Sequence, residues 1–536
     1  MAADKVNSLS VFLINKEDYT KYKDLVVDSL ATKPIKIDDG ELFYKTSEKN
    51  YYPSWVDRFF GAERLGENRN KLSTKTLSAV YFTSITVGGK KHTFAIAFGN
   101  GRYLIKKEVV QHDFGLDTSK HAIDTSRISS IRTITYDSSI KDKIIRSAVD
   151  IRQSEFFLNA NTDSMTAVSG KVRTEKMGEL LKDRTIGGKD SVSMTAMVDV
   201  GNLKEFLAQL YEQYISEGKE GVRYESNIRK VTSDEEITVV EGLLQKAIDN
   251  HKKEENLYLN LPIDELGGKD RVTGYTIEGV DYADLTTDLL DKYPTIEKLK
   301  QVSVTINGEE EAEEWTIDYP LYSFLYAELE QDKQYYILAS GVFYSISKGY
   351  KKRVDDYYKE VKVETLAGLK SWDGSTEGVF NKDQDSDSIL VMDEKFVYPE
   401  GQDRFEFCDL LYLDKHIVHA KIFDVASQPL GHLFNQGMLS AQCLSDDDIR
   451  PLIQKKINDL QKDTHKANNF LLKEPFNPND YTVTFLLLCS DSSKYLPDGR
   501  PKIPFLARAV FRENGTVISG LRFNVRLAYM GVTKKP

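Results

Sequence analysis

"FEFCDLLYLDKHIVHAKIFDVASQPLGHLFNQG", residues 405–437, decides how the last third of the chain is read. Its first run, up to Leu413, is apolar at both parities around Asp409, and its second, from His416 to Phe423, is apolar at both parities around Lys421. A strand with no polar face is a strand covered on both sides. Asp414-Lys415 between the runs is a short polar turn, so the pattern predicts an antiparallel hairpin with Asp409 and Lys421 close together. Further on, Leu430, Leu433, Phe434, Gly437, Met438 and Ala441 keep helical spacing, while His432 and Gln436, four residues apart, share a different face.

A lone carboxylate or ammonium in such a setting is costly to bury unless it is paired or bound to a metal. One arrangement that satisfies both groups is a structural ion pair between Asp409 and Lys421, with His419 an ordinary core histidine. Another is the metal-dependent nuclease core of restriction-endonuclease-like proteins, where a helix glutamate, a strand aspartate and a carboxylate-x-Lys on the next strand converge. There the carboxylates hold Mg²⁺, which lowers the pKa of a bound water, and the lysine stabilises the resulting hydroxide. On this reading Glu377 and Asp409 are the metal ligands and Lys421 stabilises the nucleophile, with His419 and Gln436 in support. Histidine stands where a carboxylate is usual, which shifts the expected ion from Mg²⁺ toward Mn²⁺. The same departure admits a degenerate core that binds nucleic acid without cutting it.

Other chemistries fit less well. In the phospholipase D type, His-x-Lys is followed, after four intervening residues, by aspartate, but here that position is Ala426. His416, His419, His432 and His465 have no regular zinc-ligand interval, and neither His-Glu-x-x-His nor Cys-x-x-Cys is present. "GNGR", 99–102, lacks the rest of a phosphate loop. In "YSISKGYKKRVDDYYKEVK", 344–362, Lys348, Lys351, Lys352 and Arg353 alternate with tyrosines, as suits phosphate neutralisation and base stacking, although a solvated amphipathic helix has the same pattern. Together with His432 these are the candidate nucleic-acid contacts.

The bulk composition sets limits. A chain of 536 residues is too long for one core. The net charge of 72 − 83 = −11 argues against wrapping nucleic acid over the whole surface but leaves room for a local basic cleft. Cys408, Cys443 and Cys489 are odd in number and set in apolar sequence, which predicts buried free thiols. The N-terminus has no secretion-signal pattern and no apolar run is long enough to span a bilayer, so a cytoplasmic protein is expected.

Composition shifts suggest three segments: an α+β domain over 1–150, an α/β domain over 151–365 and a restriction-endonuclease-like domain over 366–536. "VNSLSVFLI" reads as a strand and "EDYTKYKDLVVDSL" as a helix, and "AVYFTSITVGGKKHTFAIAF" as a hairpin about Gly88-Gly89. The closing segments "YTVTFLLLC", "PKIPFLARAVF" and "GLRFNVRLAYM" read as strands.

Several blocks in order carry a resemblance: "AFGNGRYLI" with "HDFGLD", "FFLNANTDSMTAVSGKV", "GGKDSVSMTAMVDVGNLKEFL", "TEGVFN", "FEFCDLLYLDKHIVHAKIF" and "LGHLFNQGMLSAQCL". Over most of its length the chain resembles the sporadically distributed family of uncharacterised bacterial proteins, a domain of unknown function found near mobile elements and restriction or defence genes. The resemblance implies glutamate at 377, aspartate at 409 and His-x-Lys at 419–421 as family features, and a serine where this chain has Gly431. It also implies an antiviral defence context. Nucleic acid, DNA before RNA, is the expected partner, with a defence protein or a second copy of the chain as further partners. The alternative is a non-catalytic DNA-, RNA- or phage-protein-binding component that acts as sensor or scaffold.

Overall fold

The computed structural model describes residues 7–15, 19–27, 34–46, 76–136, 140–173, 184–216, 221–252, 256–259, 270–277, 280–281, 286–310, 313–401, 403–423, 427–464, 470, 472, 474–489, 496 and 500–533. It is a mixed α+β protein that divides into two units, residues 1–134 with 142–225 and residues 135–141 with 226–536. Position 150 lies inside a strand, Ile140–Ile151, and position 365 between the helices Lys348–Glu360 and Glu377–Asp383.

The first unit is organised on a ten-stranded sheet. Its opening strand, Asn7–Ile14, is central, pairing with Lys90–Phe98 on one side and Val192–Ala196 on the other. The expected hairpin is present: Leu77–Val87 pairs with Lys90–Phe98 across Gly88 and Gly89, whose φ angles of +58° and +78° suit glycine and match the twist of a two-residue turn. The helix expected over 17–30 is, among the described residues, only a 3₁₀ turn at Tyr22–Leu25. Tyr19 and Tyr22 are instead tied to the sheet, Tyr22 through Ser84 at 3.0 Å.

The second unit begins with a five-stranded and a four-stranded antiparallel sheet. Its C-terminal part holds residues 405–437. Here α1 (Glu377–Asp383) precedes β1 (Ile389–Val391), β2 (Leu410–Tyr412) and β3 (His416–Ile422). They are followed by α2 (Ser427–Ser445), α3 (Arg450–Asp463), β4 (Thr482–Cys489), α4 (Phe505–Gly520) and β5 (Asn524–Gly531). The sheet order is β1-β2-β3-β4-β5, with β1, β2 and β3 an antiparallel meander and β3, β4 and β5 parallel.

Both faces of this sheet are covered. Phe434, Leu433 and Phe511 pack with Ile417, Phe485 and Leu487 on one side, and Trp372 and Phe380 pack with Val418, Ala420, Leu486 and Leu488 on the other. Every residue of β4 from Val483 to Cys489 is buried, Thr484 included, as suits a strand covered on both faces. Gly437 lets α2 press onto the sheet, since a Cβ there would stand 2.4 Å from the Phe485 ring and 3.0 Å from Val483. Cys408, Cys443 and Cys489 are buried free thiols.

One closing segment differs from its expectation. "PKIPFLARAVF" enters helix α4, because over a longer window Phe505, Phe511, Asn514, Gly515 and Ile518 are buried at helical spacing. Among the described residues no helix is long and apolar enough to cross a membrane.

Candidate functional site

The two apolar runs form the hairpin they suggest, with Leu410 opposite Val418, Leu411 opposite Ile417, and the turn closed by Lys415 at φ +69°. The first run is interrupted, however, and only Phe405–Glu406 and Leu410–Tyr412 are extended in ladders. Asp409 lies in the break and is held from both sides. Its N–H donates to the Val418 carbonyl at 3.0 Å, and its own carbonyl accepts from the N–H groups of Met392 and Asp393 at 2.7 and 3.1 Å. Its Oδ2 accepts the Ala420 N–H at 2.7 Å. One carboxylate is thus fixed between the strands that flank it.

These backbone bonds set Asp393, just past β1, beside Asp409. Glu406 approaches from the other end of the break, its Oε1 accepting the Glu394 N–H. The three carboxylates offer oxygens that all lie within 4.8 Å of one another. Burial is the main reason the Asp409 carboxyl sits well above the usual carboxylate range; the Ala420 N–H opposes it, and the charges of Glu406, Glu377 and Asp393 add to it. Burial also pushes Glu406 up to about 7 and raises Asp393.

Lys421 has a different partner from the one the hairpin alone suggests. Its ammonium lies 3.3 Å from Oε2 and 3.4 Å from Oε1 of Glu377, the first residue of α1, and Oε2 also accepts the Ile422 N–H at 3.2 Å. The ion pair at this end of β3 is therefore Lys421–Glu377, not Lys421–Asp409. Both oxygens of Glu377 are engaged, while its charge still reaches Asp409 and Glu406.

His419 shares the face of β3 with Lys421 by alternation but is fully enclosed. Burial pushes it down to about 3, so it is neutral at neutral pH. Its Nε2 lies 3.1 Å from Ser440 Oγ on α2, and that hydroxyl is 2.5 Å from the Phe407 carbonyl and 2.9 Å from the Gln436 carbonyl. A serine hydroxyl has one proton to give. With that proton on a carbonyl, His419 donates through Nε2–H, which fixes its tautomer.

The remaining candidates are dispersed. His432 is exposed on α2, and Gln436 is half-buried one turn before Ser440. In the helix Lys348–Glu360, Lys351 pairs with Asp355 at 2.9 Å and also lies 4.7 Å from the Tyr335 ring centre, and Lys352 pairs with Asp356. Arg353 lies over Tyr350, and Lys348 is exposed at the start of the helix. Aspartates on the same helix therefore offset part of the basic cluster. His465 lies outside the described residues.

Asp393, Glu406 and Ser440 escape the sequence reading. The available signal was a carboxylate directly after the apolar run "ILVM" and another three residues before Asp409 in "FEFCD".

The chain belongs to a family of unknown function (DUF6119), whose model matches residues 3–531. No curated protein and no solved structure matches it.

Proposed function

We propose that the second unit carries a restriction-endonuclease-like centre that cleaves phosphodiester bonds in nucleic acid as part of antiviral defence. The observation that carries the reading is the meeting of Glu377, Asp409 and Lys421 at one end of β3, with Lys421 3.3 Å from Glu377 and Asp409 hydrogen-bonded to the residue before Lys421. The order of elements supports it: a helix bearing the glutamate, a three-stranded antiparallel meander, a helical crossover and a parallel strand. The defence context rests on the resemblance of the sequence blocks.

In this reading Lys421, oriented by Glu377, holds its ammonium where a phosphate oxygen or an attacking hydroxide gains stabilisation. Asp409, fixed by four backbone contacts, orients the acidic side of the centre. The buried Asp393 Oδ2, which makes no hydrogen bond of ordinary geometry, fits the demand of a hard divalent ion for oxygen ligands. Such an ion, Mg²⁺ or Mn²⁺, supplies a more acidic bound water and offsets charge on the phosphate.

His419 favours a second reading. The strand position at which a carboxylate is usual holds a neutral imidazole committed to Ser440. A core that grips DNA, RNA or a phage protein without cutting would keep the lysine and lack that acid.

Incubating the full chain with single-stranded DNA, double-stranded DNA and RNA, with Mg²⁺ or Mn²⁺ against EDTA, tests the choice. Metal-dependent cleavage supports the nuclease; retention in a gel shift without cleavage of any substrate supports the binder.

A further inference from the structure

We infer that Asp393, Glu406 and Asp409 form the binding site of a single hard divalent cation, with the Asn381 amide beside it. The inference deepens the centre proposed above by naming its ion ligands, and it moves them away from Glu377.

Distance is the first argument. Ligand oxygens on opposite sides of an ion at about 2.1–2.5 Å stand roughly 4–5 Å apart. One oxygen from each of the three carboxylates falls within 4.8 Å of the others, a spacing that a single ion can bridge. The Asp409 carbonyl is already held by the N–H groups of Met392 and Asp393, its Oδ2 by the Ala420 N–H, and Glu406 Oε1 by the Glu394 N–H.

Charge is the second. The cluster has no bonded cation among the described residues. Lys421 is taken by Glu377 at 3.3 Å, and Lys382 pairs with the exposed Glu394 at 3.5 Å, so neither forms an ion pair with the three carboxylates. Like charges at this spacing, one buried and two half-buried, are costly, and a divalent ion relieves the cost in one step.

Asn381 is the independent observation. It is fully buried on α1, and its amide lies close enough to Asp393 to favour that carboxylate's ionised form, although neither Nδ2 nor Oδ1 makes a hydrogen bond of ordinary length and angle. The buried Asp393 Oδ2 likewise makes no hydrogen bond of ordinary geometry, the Asn381 amide being its nearby polar neighbour. Buried amides are almost always satisfied, so one left open next to an open carboxylate marks a place for something else. An all-oxygen set of carboxylates and an amide suits Mg²⁺, Mn²⁺ or Ca²⁺ rather than zinc.

The test uses the full chain and Mn²⁺ alone, followed by electron paramagnetic resonance and calorimetry. Asp393→Asn and Glu406→Gln should abolish binding, while Glu377→Gln should retain it. No binding by the unsubstituted chain at millimolar ion, or loss in Glu377→Gln with retention in the other two, overturns the inference. Iron-directed radical cleavage of the unsubstituted chain gives a second readout that needs no variant. Backbone scission near 393 and 406–409 is expected, and scission confined to other segments contradicts it. Ion binding without cleavage of any nucleic acid would leave the site standing and remove the nuclease reading. Metal-dependent cleavage that survives Asp393→Asn and Glu406→Gln would do the reverse.

Discussion

Lys421 and Glu377 form an ion pair at 3.3 Å although 44 residues separate them, and the Ile422 N–H braces the same carboxylate at 3.2 Å. The pair is part-exposed, so its loss should cost little stability. Glu377→Gln is expected to lower unfolding free energy by about 1 kcal/mol or less in a denaturant titration. If Glu377 orients the lysine for chemistry, the same variant lowers kcat by much more than that stability change suggests. A large loss of stability instead would mark the pair as structural.

Ser440 is expected to be more important to folding than its size suggests. Ser440→Ala leaves buried His419 Nε2 without its partner and removes the hydroxyl bonded to the Phe407 carbonyl, at an expected cost of about 1–3 kcal/mol. Chemical denaturation reads this directly, and a change within a few tenths of a kcal/mol would mean that other contacts fix the histidine.

His419 should shape the acid limb of stability. Its folded form titrates at about 3, below the ordinary value, so between roughly pH 6.5 and 3 the unfolded chain binds a proton that the folded chain does not. Stability is therefore lost as pH falls through that window. His419→Gln should flatten this part of the curve in thermal melts between pH 4 and 7, relative to the unsubstituted chain. An unchanged slope would mean that His419 is protonated in the fold.

Gly437 tests the packing of α2 on the sheet. Gly437→Ala places a methyl 2.4 Å from the Phe485 ring, an overpacking expected to cost about 1–3 kcal/mol. Phe485→Leu should recover part of that loss in the double variant. Additive losses would show that the helix does not bear on that ring.

The local pattern carried a good part of this centre. The apolar run at both parities located β3, "YTVTFLLLC" read as a strand located β4, Asp414-Lys415 located the hairpin turn, and helical spacing located α2. The break at Phe407–Asp409 was not legible, because it depends on Asp409 accepting hydrogen bonds from a strand end some sixteen residues earlier. For the same reason Asp393 and Glu406 could not be grouped with Asp409, since long-range pairing brings them together. The helix at Phe505–Gly520 was mistaken for a strand over a window too short to separate the two periods.

The most direct test of the account compares the unsubstituted chain with Asp409→Asn and Lys421→Ala in one cleavage assay on single-stranded DNA, double-stranded DNA and RNA, with Mn²⁺ or EDTA, and a gel shift on the same samples. The account predicts cleavage that needs the metal, disappears in both variants and leaves nucleic-acid binding measurable. Binding without cleavage by the unsubstituted chain under every condition, or cleavage unaffected by either substitution, would contradict it.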